Sequence, residues 1–404
     1  MSKPTVHDIA KVAGVSLATV DRVLNARPGV RDKTVARVHD AVRSLSYVRD
    51  TYAANLARQR QYRFAFVLPE GDSQFVDTLK AALKEATDAH VADRVFVRIV
   101  PVDAQDPHSV VRALNSLSPV EIDGLAIMAP ETPQVRDAVA HLKAAGVPVV
   151  ALVSDLPTSG RDHFVGVNSL SAGRTAAVLM GRFARSGPGK VLIVTNSMLA
   201  RDSIERRLGF DRVMAESFPG LVILPSIESR DDAGRMGTVV RHAMAAHSDL
   251  VGVYSMGPGN RALLAALRDS GRLSGLVVIA HELTPVTRQA LIADELSAVI
   301  TQNVGHLVRS ALRVLRAKCD GVGIFEAQER IRIEIILKEN LPLQAAGART
   351  DSRDANSPAP PLAPGPDPGA GVPALAPPLA SSEKSNNISR LIGGGPRSIT
   401  VGKK

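Results

Sequence analysis

Ser16, Leu17, Ala18, Thr19 and Arg22 fall within two helical turns of one another and together suit one chemistry, the reading of a nucleic-acid duplex. A guanidinium donates two parallel hydrogen bonds to a guanine edge, hydroxyls reach phosphates, and small apolar side chains meet thymine methyls. Arg22 alone in this group can make the bidentate contact, so direct readout is expected to be thin. A second set of polar side chains lies further on, at Asp72-Ser73-Gln74-Phe75, Pro130-Glu131 and Ser154-Asp155. Carboxylates and amides of this kind suit a hydroxyl-rich small molecule, and Phe75 suits stacking on a sugar face. The parts needed for catalysis are missing. The sequence has no Gly-rich dinucleotide or phosphate loop, no Gly-x-Ser-x-Gly elbow and no His/Cys cluster at metal spacing. The 10 histidines are dispersed, and His281, the only one at a predicted cleft edge, is weak support for acid–base chemistry. No enzyme activity, metal or cofactor is expected.

The first set needs a helix to carry it. Thr5 and Asp8 form a capping-box-like start, Ile9, Ala10 and Ala13 recur at helical spacing, and Gly14 ends the helix at positive φ. Ser16 caps a second helix whose inner face is Val20, Val23 and Leu24, leaving Leu17, Ala18, Asp21 and Arg22 outside. A third helix is expected from Val30 to Tyr47, with Val35, Val38, Val42 and Leu45 beneath the pair. Two helices across a Gly turn describe a helix-turn-helix, and also a plain helical hairpin. Charge separates the two. Through Arg63 the chain has twelve Lys and Arg against five Asp, a net of +7, when the whole chain is +9. A basic excess packed into one small module points to a polyanion, and DNA is the expected partner.

The second set needs strand ends. From Tyr62 the pattern alternates apolar strands with helices as far as Ile331–Leu337, which implies parallel sheets covered on both faces, and the length provides two. Ligands of open parallel sheets bind beyond the carboxyl ends of the strands, where the polar residues named above fall. Aromatics are scarce and Trp is absent, so Val, Leu, Ile and Ala must fill the core. One cysteine, Cys319, excludes an intrachain disulfide and suits a reducing cytoplasm; its apolar helical setting makes it a buried structural thiol. No apolar run is long enough to span a bilayer and the N-terminus lacks a signal-peptide core, so a cytoplasmic protein without membrane contact is expected. After Leu343 the chain is rich in Pro, Ala, Gly and Ser, then polar and basic, a composition that cannot bury enough apolar surface to order itself.

The run Asp8-Ile9-Ala10, Ala13-Gly14-Val15-Ser16, Thr19-Val20 and Arg22-Val23-Leu24-Asn25, followed by Val30, Thr34, Arg37-Val38, Ala41, Leu45 and Tyr47, resembles the DNA-binding headpiece of the lactose-repressor (LacI/GalR) family. The resemblance implies a headpiece over 1–49 and a hinge helix over 50–61. It further implies a two-lobed periplasmic-binding-protein-like domain over 62–343, crossed by the chain near Asp162, Gln302 and Gly321, and a tail over 344–404 outside the usual family length. It implies DNA contacts at Thr5, Ser16, Leu17, Ala18, Thr19, Arg22, Asn25, Val30, Thr34 and Asn55, and a minor-groove wedge at Leu56. It also implies effector contacts at Phe75, Asp155, Arg161, Arg206, Asn260, His281, Glu282 and Gln302. The function implied is a sequence-specific repressor, homodimeric or tetrameric, controlled by a small sugar-like effector acting as inducer or, as in purine repressors, as co-repressor. The chain departs from the pattern at Asp21, where the family has Ser, and at Arg49-Asp50, where it has Pro-Asn. Met256-Gly257-Pro258-Gly259-Asn260 stands where the family has Asn-Asp, and His281-Glu282 replaces an Asp pair. Asn260 either supplies the missing amide or serves the turn alone. Operator and sugar identity therefore do not transfer.

Overall fold

The computed structural model describes residues 4–24, 27–45, 47, 60–89, 94–103, 105–184, 187–230 and 232–343. Asn25, Asn55, Leu56, most of the expected hinge and the tail lie outside the described residues.

Three helices come first: α1 (Val6–Ala13), α2 (Leu17–Leu24) and α3 (Asp32–Ser44). The N–H and hydroxyl of Thr5 both donate to Asp8 Oδ2, at 2.7 and 2.8 Å, and Thr19 N–H donates to Ser16 Oγ at 3.2 Å. Gly14 ends α1 at φ 60°, in the left-handed region. Ile9, Ala10, Ala13, Val20, Val23, Val38 and Ala41 are buried together, so each helix gives one stripe to a shared core. The third helix is shorter than the expected Val30–Tyr47 span. Arg37 of α3 donates to the carbonyls of Ala13 and Gly14 and so satisfies the free end of α1.

The remainder forms two α/β lobes. The first contains β1 (Tyr62–Pro69), α4 (Gln74–Ala89), β2 (Val95–Val102), α5 (Pro107–Asn115), β3 (Gly124–Ile127), α6 (Pro133–Ala144), β4 (Val149–Leu152) and β5 (His163–Val165). The second contains α7 (Ser169–Phe183), β6 (Gly189–Thr195), α8 (Arg201–Ser217), β7 (Leu221–Glu228), α9 (Ala233–Ala246), β8 (Leu250–Ser255), α10 (Asn260–Asp269), β9 (Val277–His281), α11 (Pro285–Ile292) and β10 (Ala298–Gln302). The chain then runs through α12 (Val304–Asp320), α13 (Glu326–Glu329) and β11 (Ile333–Ile336). The first sheet is parallel in the order β2-β1-β3-β4-β5, and the second has the order β11-β10-β9-β8-β6-β7. Strand β11 runs antiparallel to β10, the one departure from the expected all-parallel sheets.

Crossings between lobes follow β5, β10 and α12. The first comes a few residues after Asp162, because His163–Val165 still pairs with β4. Helix α12 packs back on the first lobe: Leu307, Val308, Ala311, Val314 and Leu315 are buried with Phe64, Phe66 and Leu68. Apolar clusters cover both faces of each sheet, which explains the nearly unbroken apolar strands.

Candidate ligand cleft and nucleic-acid interface

A cavity of about 300 Å³ lies between the lobes at the carboxyl ends of their strands. Asp72, Ser73, Gln74 and Phe75 enter it after β1, Met128 after β3 and Val153 after β4. From the second lobe come Asp202 and Arg206 of α8, Ser229 and Asp232 after β7, Gly257 to Asn260 after β8, and His281 and Glu282 at the end of β9. Two lining residues other than glycine have left-handed backbone: Val153 at φ 62° and Glu282 at φ 68°. A residue with a side chain is strained in that region, the β-branched Val153 most of all, and each lobe thus holds one strained residue against the cavity.

Arg206 is placed by an unusually close helix contact. A Cβ on Gly173 of α7 would lie 2.0 Å from Arg206 O, and one on Gly209 would lie 2.1 Å from Leu170 O. Only glycine permits this approach, which presses α8 against α7 and sinks the arginine to 2 % exposure. Its Nη1 donates to Met256 O at 2.5 Å and lies 3.2 Å from Asp202 Oδ2, while Nη2 is 3.9 Å from Glu282 Oε1. Nε and Nη2 are buried without a hydrogen-bond partner. Such groups are costly to leave unpaired, so they mark where a ligand oxygen is wanted.

Glu282 accepts from Gln302 Nε2 at 3.1 Å and from Thr301 Oγ1 at 3.4 Å. Burial pushes its carboxyl up to about 7, against the pull of Arg206. Beneath it, the His281 ring meets Tyr254 OH at 2.8 Å, and Tyr254 stacks on Phe210 at 4.6 Å between centroids. Burial drives the His281 pKa well down, so the ring is neutral. Asn260 accepts from Ser255 Oγ at 2.7 Å and donates to His281 O at 3.2 Å.

Four contacts join the lobes around the cavity: Arg261 to Asp72 at 3.6 Å, Arg201 to Glu131 at 3.4 Å, Asp202 N–H to Ser154 Oγ at 3.4 Å and Val286 N–H to Gln74 Oε1 at 3.4 Å.

In the three-helix unit, Ser16, Leu17, Ala18 and Arg22 are exposed along α2, and Thr19 is half-buried. Thr5 is exposed at the start of α1, and Val30 and Thr34 are half-buried around the start of α3. Asp21 faces the same side but is paired with Arg27 at 3.2 Å.

The family model for a periplasmic binding protein domain matches residues 64–322, and that for bacterial regulatory proteins of the lacI family matches residues 5–50. The chain belongs to the LacI family. Similar proteins include the HTH-type transcriptional regulator DegA of Bacillus subtilis, 26% identical over 176 residues, 43% of this chain and 51% of DegA. The HTH-type transcriptional regulator GntR of Pseudomonas aeruginosa is 27% identical over 273 residues, 66% of this chain and 75% of GntR. For the first of these relatives, the LacI-family chain matches about half of their length. A solved solute binding protein of an ABC transporter from Burkholderia graminis, in complex with D-arabinose, is 26% identical with a TM-score of 0.63, covering 70% of this chain and 96% of its own.

Of the effector positions that the sequence suggests, this LacI-family structure gathers Phe75, Arg206, Asn260, His281 and Glu282 at the cavity. Gln302 stands behind Glu282 rather than in the lining. Asp155 and Arg161 lie outside the lining and bond each other, with Arg161 Nη2 donating to Asp155 Oδ2 at 2.6 Å. Sequence reasoning missed Asp202 and Met236. Asp202 had a signal, since it stands one helical turn before Arg206; Met236 reads as an ordinary core position of α9. Among the described residues no helix is long and apolar enough to cross a membrane, and no group of three His, Cys, Asp or Glu is placed to hold a metal.

Proposed function

We propose that this chain is a cytoplasmic transcriptional repressor that binds a double-stranded operator and changes its hold when a small sugar-like molecule occupies the cleft. The observation that carries the reading is the division of α2: Val20 and Val23 are locked in the core while Ser16, Leu17, Ala18 and Arg22 are presented to solvent. A helix so anchored can enter a major groove without disturbing its own support. The buried, unpartnered N–H groups of Arg206 support a ligand in the cleft, and the D-arabinose of the similar solute binding protein supports its class. Phe96 and Ile99, exposed on the edge strand β2, support a homodimer. Leu56 acts as a wedge in the minor groove, and the chain works by binding, not catalysis. Cleft closure shifts the operator equilibrium only if the ligand binds the two states unequally.

The test begins with selection of bound duplexes from random DNA. Arg22→Ala should then lose roughly ten- to a hundredfold in preference for the selected site over scrambled DNA, the worth of one bidentate base contact. Full preference in this variant would remove α2 as the reading helix.

A further inference from the structure

Most polar side chains that line the cavity are already engaged. Asn260 uses both ends of its amide on Ser255 and on the His281 carbonyl, the His281 ring meets Tyr254, and Thr284 is bound into its helix cap with Thr287. Arg206 is the exception, buried with Nε and Nη2 unpartnered. Asp202 at 3.2 Å and Glu282 at 3.9 Å flank its guanidinium, so two carboxylates attend one cation. Away from that corner Phe75, Met128 and Val153 from the first lobe and Met236, Ala262 and Ala265 from the second give the lining an apolar share, beside Ser73 and the lobe-to-lobe contacts of Asp72, Gln74 and Arg261.

Each half of this arrangement selects. A hydroxyl can accept from an Arg206 N–H and donate to Asp202 or Glu282, which matches the donors and acceptors present. A carboxylate or phosphate can only accept, and it would arrive as a further negative charge beside two others in a desolvated corner. The apolar share of the lining offers nothing for hydroxyls lost from water but suits C–H faces and methyl groups. Resting on the ligand-sensing reading above, we infer that the effector is a small uncharged polyol derivative with an apolar face or substituent, such as a deoxy sugar or methyl glycoside, and that sugar acids and sugar phosphates are excluded. Its polar edge lies against Arg206, Asp202 and Glu282, and its apolar edge against Met236, Ala262 and Ala265.

The experiment titrates the full chain at pH 8 by calorimetry and thermal shift. The probes are the glucose, galactose and mannose series, each as parent sugar, 6-deoxy sugar, methyl glycoside, uronate and 6-phosphate. In a series that binds, the deoxy sugar or methyl glycoside should match its parent or bind up to about fourfold tighter for one buried methyl. The uronate and 6-phosphate should bind at least about tenfold more weakly. Ala262→Asp, which places a carboxylate in the apolar wall and in the first turn of α10 where it suits the helix, should erase the preference for the deoxy or methyl form. A uronate or phosphate that outbinds its neutral parent, with binding lost in Arg206→Ala, would overturn the class while leaving the cleft as the sensor. Binding left unchanged by both Arg206→Ala and Ala262→Asp would instead remove the cleft. No response to any neutral member would also overturn the inference.

Discussion

At the scale of single residues, Glu282 combines several costs at one position. It is buried, its backbone is left-handed, and it stands beside Arg206 without a hydrogen bond to it. Burial raises its pKa from an ordinary 4.5 to about 7, so the folded chain holds the protonated acid below that pH and the carboxylate above it. The sign follows from linkage. Below pH 4.5 the group is protonated in both folded and unfolded chains and contributes no pH dependence; as pH rises toward 7 the unfolded chain ionises first, and stability falls. The gap corresponds to roughly 3 kcal/mol, complete above pH 7. Glu282→Gln keeps the shape without the titration, so it should raise the melting temperature at pH 8 and change little at pH 4.5. An equal shift at both pH values would show that ionisation is not the cause. The sequence made part of this site legible. Arg206 stands one turn before Gly209-Phe210, and that spacing carries a helix contact that glycine alone allows. Asp155 and Arg161 were a poorer guide, because opposite charges flanking the short Pro157–Ser159 turn can satisfy each other as readily as a ligand.

At the scale of elements, the three-helix unit is tied together by Arg37, which reaches from α3 to the last carbonyls of α1. Gly14 is part of the same joint, since a Cβ there would lie 3.1 Å from Arg37 Nη2 and the backbone is left-handed. Arg37→Ala should destabilise this unit by about 1.5–3 kcal/mol, the usual worth of hydrogen bonds to a charged donor. Hydrogen exchange in the full chain should then show faster amides in α1 and α3 and unchanged ones in β6 and β8. Uniform acceleration throughout the chain, or none, would count against this role. Central strands such as β1 were readable because burial on both faces leaves an uninterrupted apolar run. The direction of β11 was not, since an edge strand carries the same side-chain pattern whichever way it runs.

At the scale of the whole molecule, the lobes meet through a few polar contacts. Glu131 anchors one of them, accepting from Thr158 N–H at 2.7 Å while pairing with Arg201 of the other lobe. Arg201 is partly exposed and the pair is long at 3.4 Å, and such pairs contribute about 0–1 kcal/mol. Arg201→Ala should therefore weaken ligand affinity by no more than about fivefold, while small-angle scattering of the ligand-free chain shows a larger radius of gyration. A larger affinity loss with unchanged dimensions would mean that Arg201 touches the ligand instead of holding the lobes together.

The path of α12 has a further consequence, during synthesis. The first lobe's strands are complete by Val165, yet α12, which shares with α4 the covering of Phe64, Phe66 and Leu68, ends only at Asp320. At ribosomal speeds those aromatic residues wait on the order of ten to thirty seconds for their cover. The second lobe is equally unfinished, lacking its edge strand until Ile336. Nascent chains should therefore hold a half-covered sheet face for most of translation, and interruption anywhere between the two lobes leaves a fragment without the helix that completes it.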